Sequence, residues 1–170
     1  MIEVMKMIHP LKKVRENVGL SQEALALSLG IPVKTIRNWE QNIRKPSEWT
    51  IDLLIDRILR EKTEQNQSNN EHSGLVSFLT MKKKISVIAE KFDVDRIYLF
   101  GSYAKGEATE ISDIDLYMES ELFGLDYFEF IEMLREELHK NIELLSNKTV
   151  EASSSIEQEI KKTGVLIYER

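Results

Sequence analysis

Apolar side chains recur at helical spacing through the first sixty residues of the chain. A repeat in which an apolar residue returns after three or four positions is typical of an amphipathic helix that packs against a core. Gly19 and Gly30 interrupt the repeat, Ser21 offers a hydroxyl for a helix N-cap, and Pro46 precedes the last stretch. The pattern therefore predicts four short helices, over residues 10–17, 22–29, 33–42 and 48–60.

The last hundred residues alternate differently, because short β-branched and aromatic runs separate longer amphipathic stretches. The runs have the length of strands and the stretches have the length of helices. We expect helices over 76–92, 126–141 and 154–163, and strands over 96–100, 113–119, 142–145 and 165–168. Three aromatic residues around the start of the second of these helices are expected in the core, although one or two of them could form a partner surface: Phe123, Tyr127 and Phe128.

Residues 61–73, with the sequence EKTEQNQSNNEHS, contain no apolar side chain. Such a run cannot contribute to a core, so we expect a flexible linker. The chain is therefore divided into a helical domain over 1–60, a linker over 61–74 and a second domain over 75–170. The charges support this division, since residues 1–60 carry ten Lys or Arg and seven Asp or Glu, a net +3, whereas the other 13 basic and 22 acidic residues give −9.

The composition excludes several kinds of site. The chain has no cysteine, which excludes disulfides, thiol nucleophiles and thiolate metal sites. Its three histidines, at positions 9, 72 and 139, lack the spacing of a zinc site, and His139 is expected at a helix end. No apolar run approaches the roughly 18 residues that a membrane span requires, and the N-terminus has no apolar segment long enough for a signal peptide. We expect a cytoplasmic protein.

The most informative chemical pattern lies in the segment RIYLFGSYAKGEATEISDIDLYME, residues 96–119. A buried strand is expected to end at Gly101 and Ser102 in a tight turn, which a short helix follows. Backbone amides at a helix start attract anions, so the amides of Ser102 and Tyr103, with the Ser102 hydroxyl, can hold phosphate oxygens. Lys105 would help to offset the phosphate charge. The turn is therefore a candidate nucleotide-binding element.

Asp113 and Asp115 follow on the next expected strand. Side chains alternate along a strand, so the two carboxylates point to one side and lie roughly 7 Å apart. They repel each other unless a cation lies between them. Mg²⁺ prefers oxygen ligands and commonly binds one or two carboxylates together with substrate phosphates. A phosphate-binding turn beside metal-binding carboxylates predicts a site for nucleotidyl transfer.

The segment GSYAKGEATEISDID resembles the GSX10DXD signature of the nucleotidyltransferases related to DNA polymerase β. Over residues 81–170 the chain is similar to the minimal nucleotidyltransferases, which implies an α/β (α+β) nucleotidyltransferase fold with a small mixed sheet. The resemblance also implies ATP as substrate, Mg²⁺ or Mn²⁺ as the metal, and catalytic, metal-binding roles for Asp113, Asp115 and Glu143. Many such proteins are antitoxins that transfer AMP to a tyrosine hydroxyl of a HEPN toxin, so the resemblance implies a HEPN toxin as partner.

The segment LSQEALALSLGIPVKTIRNWEQNIRKPS, residues 20–47, resembles the Xre/Cro type of helix-turn-helix domain. It departs from that type at Pro32, where a polar capping residue is commoner, and at Asn42, where glycine is common but asparagine tolerates the left-handed backbone. The second helix of such a pair enters the major groove of DNA, and residues around it hold phosphates. The expected base contacts are Val33, Lys34, Arg37 and Asn38, and the expected phosphate contacts are Gln22, Arg44 and Lys45.

A single copy of a domain with a net charge of +3 should bind DNA weakly, so we expect a homodimer or a hetero-oligomer with the toxin on an operator with two half-sites. The first hypothesis is an antitoxin that adenylylates its toxin with one domain and represses its operon with the other. The alternative is a non-catalytic DNA-binding antitoxin and repressor that neutralises its toxin by direct binding. Small-molecule adenylylation is disfavoured because the second domain leaves little chain for a drug-binding domain.

Overall fold

The computed structural model describes residues 9–66, 74–152 and 154–170. The first four elements are α1 (Pro10–Asn17), α2 (Gln22–Leu29), α3 (Val33–Glu40) and α4 (Glu48–Asn66). The later elements are α5 (Phe78–Ala89), β1 (Val94–Phe100), α6 (Gly101–Lys105), β2 (Ile114–Ser120), α7 (Gly124–Leu138), β3 (Ile142–Ser146), α8 (Ser155–Thr163) and β4 (Val165–Glu169). Within these described ranges, no helix is both long enough and apolar enough to cross a membrane.

Helix α2 begins and ends at the residues that the sequence predicts as its caps, and the turn after α3 contains the expected asparagine. The Ser21 hydroxyl accepts a hydrogen bond from the Ala24 amide at the start of α2, and Gly30 ends this helix with a φ of 68°. Asn42 follows α3 with a φ of 57°, so asparagine adopts the left-handed conformation expected of it. The predicted all-α helix-turn-helix bundle is confirmed.

Helix α4 is longer than the hydrophobic pattern predicts. The sequence prediction ended this helix at Arg60 and assigned residues 61–74 to a linker, but the helix continues to Asn66. The Asn66 side chain donates to the Gly106 carbonyl at 3.2 Å, so a polar contact with the second half of the chain holds the end of the helix. Hydrophobic periodicity does not predict such a polar contact, so the predicted end of the helix at Arg60 is wrong. Of the remaining linker, residues 67–73 lie outside the described residues.

The second half of the chain forms a four-stranded mixed sheet in the order β3-β2-β1-β4. Strand β1 is antiparallel to β2 and β4, whereas β2 and β3 are parallel. One face carries Ile97, Leu99 and Leu116 and belongs to the main hydrophobic core together with side chains of α5 and α7. The other face carries Tyr98 and Tyr117, which pack against α8. The predicted α/β domain with a small mixed sheet is confirmed.

The helical bundle and the sheet share one hydrophobic core. Leu11 of α1 belongs to the same cluster of buried side chains as Phe130 of α7. The side-chain amide of Asn17 also donates to the carbonyls of Ala104 at 3.0 Å and of Thr163 at 2.7 Å, which ties α1 to α6 and to the end of α8. Buried contacts therefore cross the expected boundary between the two domains. The division of the chain into separate domains stays a prediction.

The aromatic residues around the start of α7 divide between core and surface. The hydroxyl of Tyr127 donates to the Leu144 carbonyl at 2.5 Å, and its partly buried ring packs against the core. Phe123 and Phe128 are 77% and 65% exposed. The expectation of a core position is wrong for these two residues, because Phe123 precedes the helix and Phe128 lies on its outer side. Their exposure favours the alternative, in which they form a partner surface.

Candidate nucleotidyl-transfer site

The turn after β1 is packed against an acidic side chain of β2. Helix α6 begins directly at Gly101, whose φ of 65° lies in the left-handed region. A Cβ atom at this position would lie 1.9 Å from Oδ2 of Asp115 and 2.8 Å from its Cγ. Only glycine permits this conformation and this approach together. Helix α6, whose first amides have no acceptor within the helix, therefore starts beside a carboxylate.

Three acidic side chains lie near the same end of the sheet. Asp115 is in register with Glu143 on the neighbouring parallel strand β3. Side chains of such a pair point to the same face of the sheet. Asp113 is exposed and immediately precedes β2. The structure thus places the three predicted carboxylates in the same region, while their roles stay a prediction.

The electrostatic environment of Asp115 reflects this crowding. Burial raises the pKa of Asp115 to about 6, and the negative charges of Glu143, Asp113 and Glu159 act in the same direction, while Lys105 opposes them. A carboxylate in such surroundings is stabilised by a positive charge. The surroundings of Asp115 therefore favour a cation.

Lys105 already has an acidic partner. Its Nζ donates to Oε1 of Glu159 at 2.6 Å, and Glu159 lies on α8, the helix that covers the sheet face carrying Asp115. The sequence predicts Lys105 as a phosphate contact but gives no indication that Glu159 belongs to the site. Lys105 and Glu159 are 54 positions apart, so no local pattern could link them. The pairing means that a nucleotide would compete with Glu159 for this lysine.

The carboxylates suit a hard divalent cation that arrives with its nucleotide. Carboxylate oxygens are preferred ligands of Mg²⁺, which commonly takes only one or two of them and completes its coordination with water and phosphate. Over residues 9–66, 74–152 and 154–170, no three His, Asp or Glu side chains form a ready metal-binding group. Asp113 and Glu143 are nevertheless near enough to raise the pKa of Asp115. The donor set therefore fits a metal whose remaining ligands come from phosphate.

The predicted DNA-binding residues lie on α3 and on the turn after it, except for Gln22 on α2. Asn38 is partly buried, and Val33 packs partly against the hydrophobic core, which leaves less of its side chain for a base contact. The exposed members of the set are Lys34, Arg37, Arg44 and Lys45. The structure thus leaves all four predicted basic side chains exposed.

A buried ion pair that the sequence analysis did not identify supports this surface. Arg15 donates through Nε to Oε1 of Glu40 at 2.6 Å and through Nη2 to Oε2 at 3.0 Å. Gln22 donates to the same Oε2 at 2.7 Å and accepts from Nε of Arg37 at 3.5 Å. The pair fixes α1 against α3, and Gln22 connects it to the exposed Arg37. The Gln22 amide group is thus already engaged within the protein, and its predicted phosphate contact stays a prediction.

Comparison with known proteins agrees with this geometry. A helix-turn-helix profile matches residues 11–57, and the profile described as polymerase beta, nucleotidyltransferase matches residues 82–170. A candidate protein adenylyltransferase of Methanocaldococcus jannaschii is 34% identical over 87 residues, which are 47% of this chain and 87% of that protein. The protein adenylyltransferase MntA of Thermococcus cleftensis is 36% identical over 78 residues, covering 45% of this chain and 77% of that protein.

Solved structures with a similar fold include a toxin–antitoxin crystal structure with AMP-PNP, which has a TM-score of 0.45 at 23% identity and covers 52% of this chain and 73% of that chain. The nucleotidyltransferase profile covers more than half of the chain, and the match extends over most of the Methanocaldococcus relative. The chain therefore belongs to the polymerase beta nucleotidyltransferase family and carries a helix-turn-helix domain in front of its transferase fold.

Proposed function

We propose that this chain is an antitoxin-type protein adenylyltransferase. It transfers AMP from ATP to a hydroxyl group, which we expect to be a tyrosine, of a partner HEPN toxin, and it represses its own operon through the helix-turn-helix domain. The observation that supports the catalytic part is the close approach of Gly101 to Asp115, because it brings the turn that we expect to bind phosphate against a carboxylate. The relatives named as protein adenylyltransferases support a protein as acceptor.

Each part of the site has a separate task in this reaction. The first amides of α6 and the Ser102 hydroxyl hold the phosphates of ATP. Asp113 and Asp115 would hold Mg²⁺ or Mn²⁺, with Glu143 as a further ligand, and the metal would supply charge stabilisation to the phosphates. The acceptor oxygen bonds to the α-phosphorus while the bond to the pyrophosphate oxygen breaks. Glu143 also accepts the hydroxyl proton.

The double substitution Asp113→Asn, Asp115→Asn is expected to abolish transfer while operator binding stays intact. The amides keep the size of the carboxylates but remove the two negative charges that would hold the metal. The measurement is transfer of label from α-phosphate-labelled ATP to the protein encoded by the adjacent gene, with magnesium present and again after its removal by a chelator. Label on the partner with the wild-type chain alone supports the proposal.

Two outcomes of this experiment would contradict the catalytic proposal. If the double variant still neutralises the toxin, transfer is not what silences it. If the wild-type chain forms a stable complex but transfers no label, the chain is a DNA-binding antitoxin that acts by contact. Either result would favour the non-catalytic alternative.

Arg37→Ala is expected to weaken specific operator binding by about 1–3 kcal/mol, roughly 5- to 150-fold in affinity, and to leave transfer unchanged. Arg37 is exposed on α3, so its loss removes a base contact without opening the core. The measurement is operator affinity at fixed salt, with the exposed Arg135 of α7 changed to alanine as control. Unaltered affinity of the Arg37 variant would show that another element reads the bases.

The assembly that binds the operator is part of the same proposal. The helix-turn-helix half of the sequence is only mildly basic, so a homodimer or a hetero-oligomer with the toxin would supply the second half-site contact. Operator DNA and ATP are both present in the cytoplasm, where we expect the protein to act.

A further inference from the structure

Large apolar side chains protrude from the surface at the start of α7. Phe123 is 77% exposed, Leu125 is 85% exposed and Phe128 is 65% exposed. Leu125 and Phe128 are three residues apart and therefore neighbours on the helix surface. We call these three residues the α7 patch. Neighbouring exposed apolar side chains rimmed by polar ones are typical of a contact site, whereas isolated ones are common everywhere.

The α7 patch has an acidic rim. Asp126 and Glu129 are exposed and have no basic partner among the residues that the structure describes. Glu132 pairs with Arg135 at 2.5 Å, farther along the same helix. The rim belongs to the part of the chain, residues 61–170, that carries a net charge of −9. An apolar surface with this rim is complementary to an apolar pocket edged by Lys and Arg.

One basic side chain lies against the α7 patch. Lys148 Nζ lies 5.6 Å from the centroid of the Phe123 ring and 3.1 Å from Oε2 of Glu121. The lysine covers part of one ring and is itself neutralised by its acidic partner. It therefore leaves the apolar character of Leu125 and Phe128 and the negative charge of the remaining rim unchanged.

We propose that the α7 patch is the docking surface for the acceptor protein, a partner that presents an apolar pocket surrounded by basic residues. This inference rests on the proposed function, in which the acceptor is a protein. A second copy of the chain is a poorer occupant, because a two-fold symmetric contact would bring the acidic rims of both copies together. Charge complementarity thus selects a different protein over self-association.

The α7 patch lies at a distance from the carboxylates that suits a protein acceptor. Asp115 stands near the start of β2 and points to the sheet face that α8 covers. The patch follows the end of β2 at Ser120, about 17 Å along the strand at roughly 3.4 Å per residue, and lies on α7, which packs against the other face. A standard interface buries about 800 Å² on each partner, a disc roughly 30 Å across. A protein docked on the patch must therefore also extend around the sheet to present a hydroxyl at the site. A small-molecule acceptor cannot contact both.

The test compares two double variants of the full chain. Leu125→Ser, Phe128→Ser removes the centre of the α7 patch, and Leu53→Ser, Val87→Ser removes apolar side chains that are also exposed, at 42% and 53%, on α4 and α5. Binding of the adjacent-gene protein is measured by calorimetry, and label transfer is measured against acceptor concentration. We expect the patch variant to raise Kd and the KM for the acceptor about tenfold or more, with kcat and ATP affinity unchanged. The control variant should match the wild type.

Each other outcome has a definite meaning. If the patch variant binds the partner as tightly as the wild type, the inference is overturned even where transfer is observed. If sedimentation shows a wild-type dimer that the patch variant dissociates, the α7 patch joins two copies and the inference is overturned as well. If the wild type binds but transfers no label, and the patch variant loses binding, docking stands and the catalytic proposal fails. Absence of binding by the wild type overturns both.

Discussion

Gly101→Ala is expected to reduce nucleotidyl transfer about 100-fold or more while the chain still folds. The added Cβ would lie 1.9 Å from Oδ2 of Asp115, so either the turn at Gly101 or the carboxylate must move. Alanine at a φ of 65° adds about 1–2 kcal/mol of backbone strain. That strain is small beside a typical folding free energy of about 5–15 kcal/mol. The expected damage is therefore to the geometry of the site.

The matched control is Gly30→Ala. Gly30 has a φ of 68°, close to that of Gly101, but an added Cβ there would have no atom within 4 Å. Both variants bear the same kind of backbone strain, and only Gly101→Ala brings a methyl group against Asp115. Label transfer and urea unfolding of the two variants separate the effects. Transfer by Gly101→Ala within threefold of the wild type would show that the turn and the carboxylate are not held this close in the active protein.

Glu40→Ala is expected to lower the free energy of unfolding by about 3–5 kcal/mol. The Glu40 side chain is 1% exposed and accepts two hydrogen bonds from Arg15 and one from Gln22. Removing it leaves the Arg15 guanidinium, whose side chain is 11% exposed, without its buried counter-charge. The orientation of α1 against α3 depends on this pair, so operator binding should weaken together with stability. Urea unfolding at neutral pH measures the loss.

Two further variants show whether the unpaired charge is the cause. The double variant Arg15→Met, Glu40→Leu removes both charges and should recover much of the lost stability, since a buried pair replaced by apolar groups is often neutral. Glu132→Ala breaks the exposed pair with Arg135 and should cost less than about 1 kcal/mol. A loss of the same size in Glu132→Ala and Glu40→Ala would contradict the assignment of the buried pair as a main support of the bundle.

The contribution of Glu40 should also depend on pH. Burial raises the pKa of Glu40, but hydrogen bonds from Arg15 and Gln22 outweigh burial, and the net effect holds the pKa below its ordinary value of 4.5. A carboxyl whose pKa is lower in the folded state stabilises that state above the unfolded pKa, and the stabilisation is lost as the pH falls through the folded value. The stability difference between the wild type and Glu40→Ala should therefore shrink in acid, as paired unfolding curves would show.

The helix-turn-helix bundle packs against α6. Asn17 donates to the Ala104 carbonyl, and Asn66 donates to the Gly106 carbonyl, so α1 and α4 both contact the short helix that starts at Gly101. An added Cβ on Gly106 would meet the side chain of Lys62 at 2.8 Å, which shows how closely α4 approaches. The helix-turn-helix half of the chain thus contacts the short helix beside the candidate transferase site.

The sequence by itself determined the features that depend on neighbouring residues. Ser21 and Gly30 define the ends of α2 because capping requires a hydroxyl acceptor and a left-handed residue at fixed offsets from the helix. The alternation of side chains along the expected strand predicts Asp113 and Asp115 on one side, and Gly101 precedes them at the spacing of a known motif. In the structure β2 begins one residue later, at Ile114, so only Asp115 lies on the strand. Such rules act over a few positions, so the helices, the strands and the candidate catalytic residues could be predicted without coordinates.

Only the tertiary structure decided which distant residues meet. Glu159 reaches Lys105 across 54 positions, and Glu40 reaches Arg15 across 25, and neither pairing has a local pattern. Phe128 is as apolar as a core residue, yet it is exposed because the apolar face of α7 is turned toward the sheet and Phe128 lies outside it. These outcomes depend on how side chains fit together and become buried over the whole core. No short stretch of sequence contains that information.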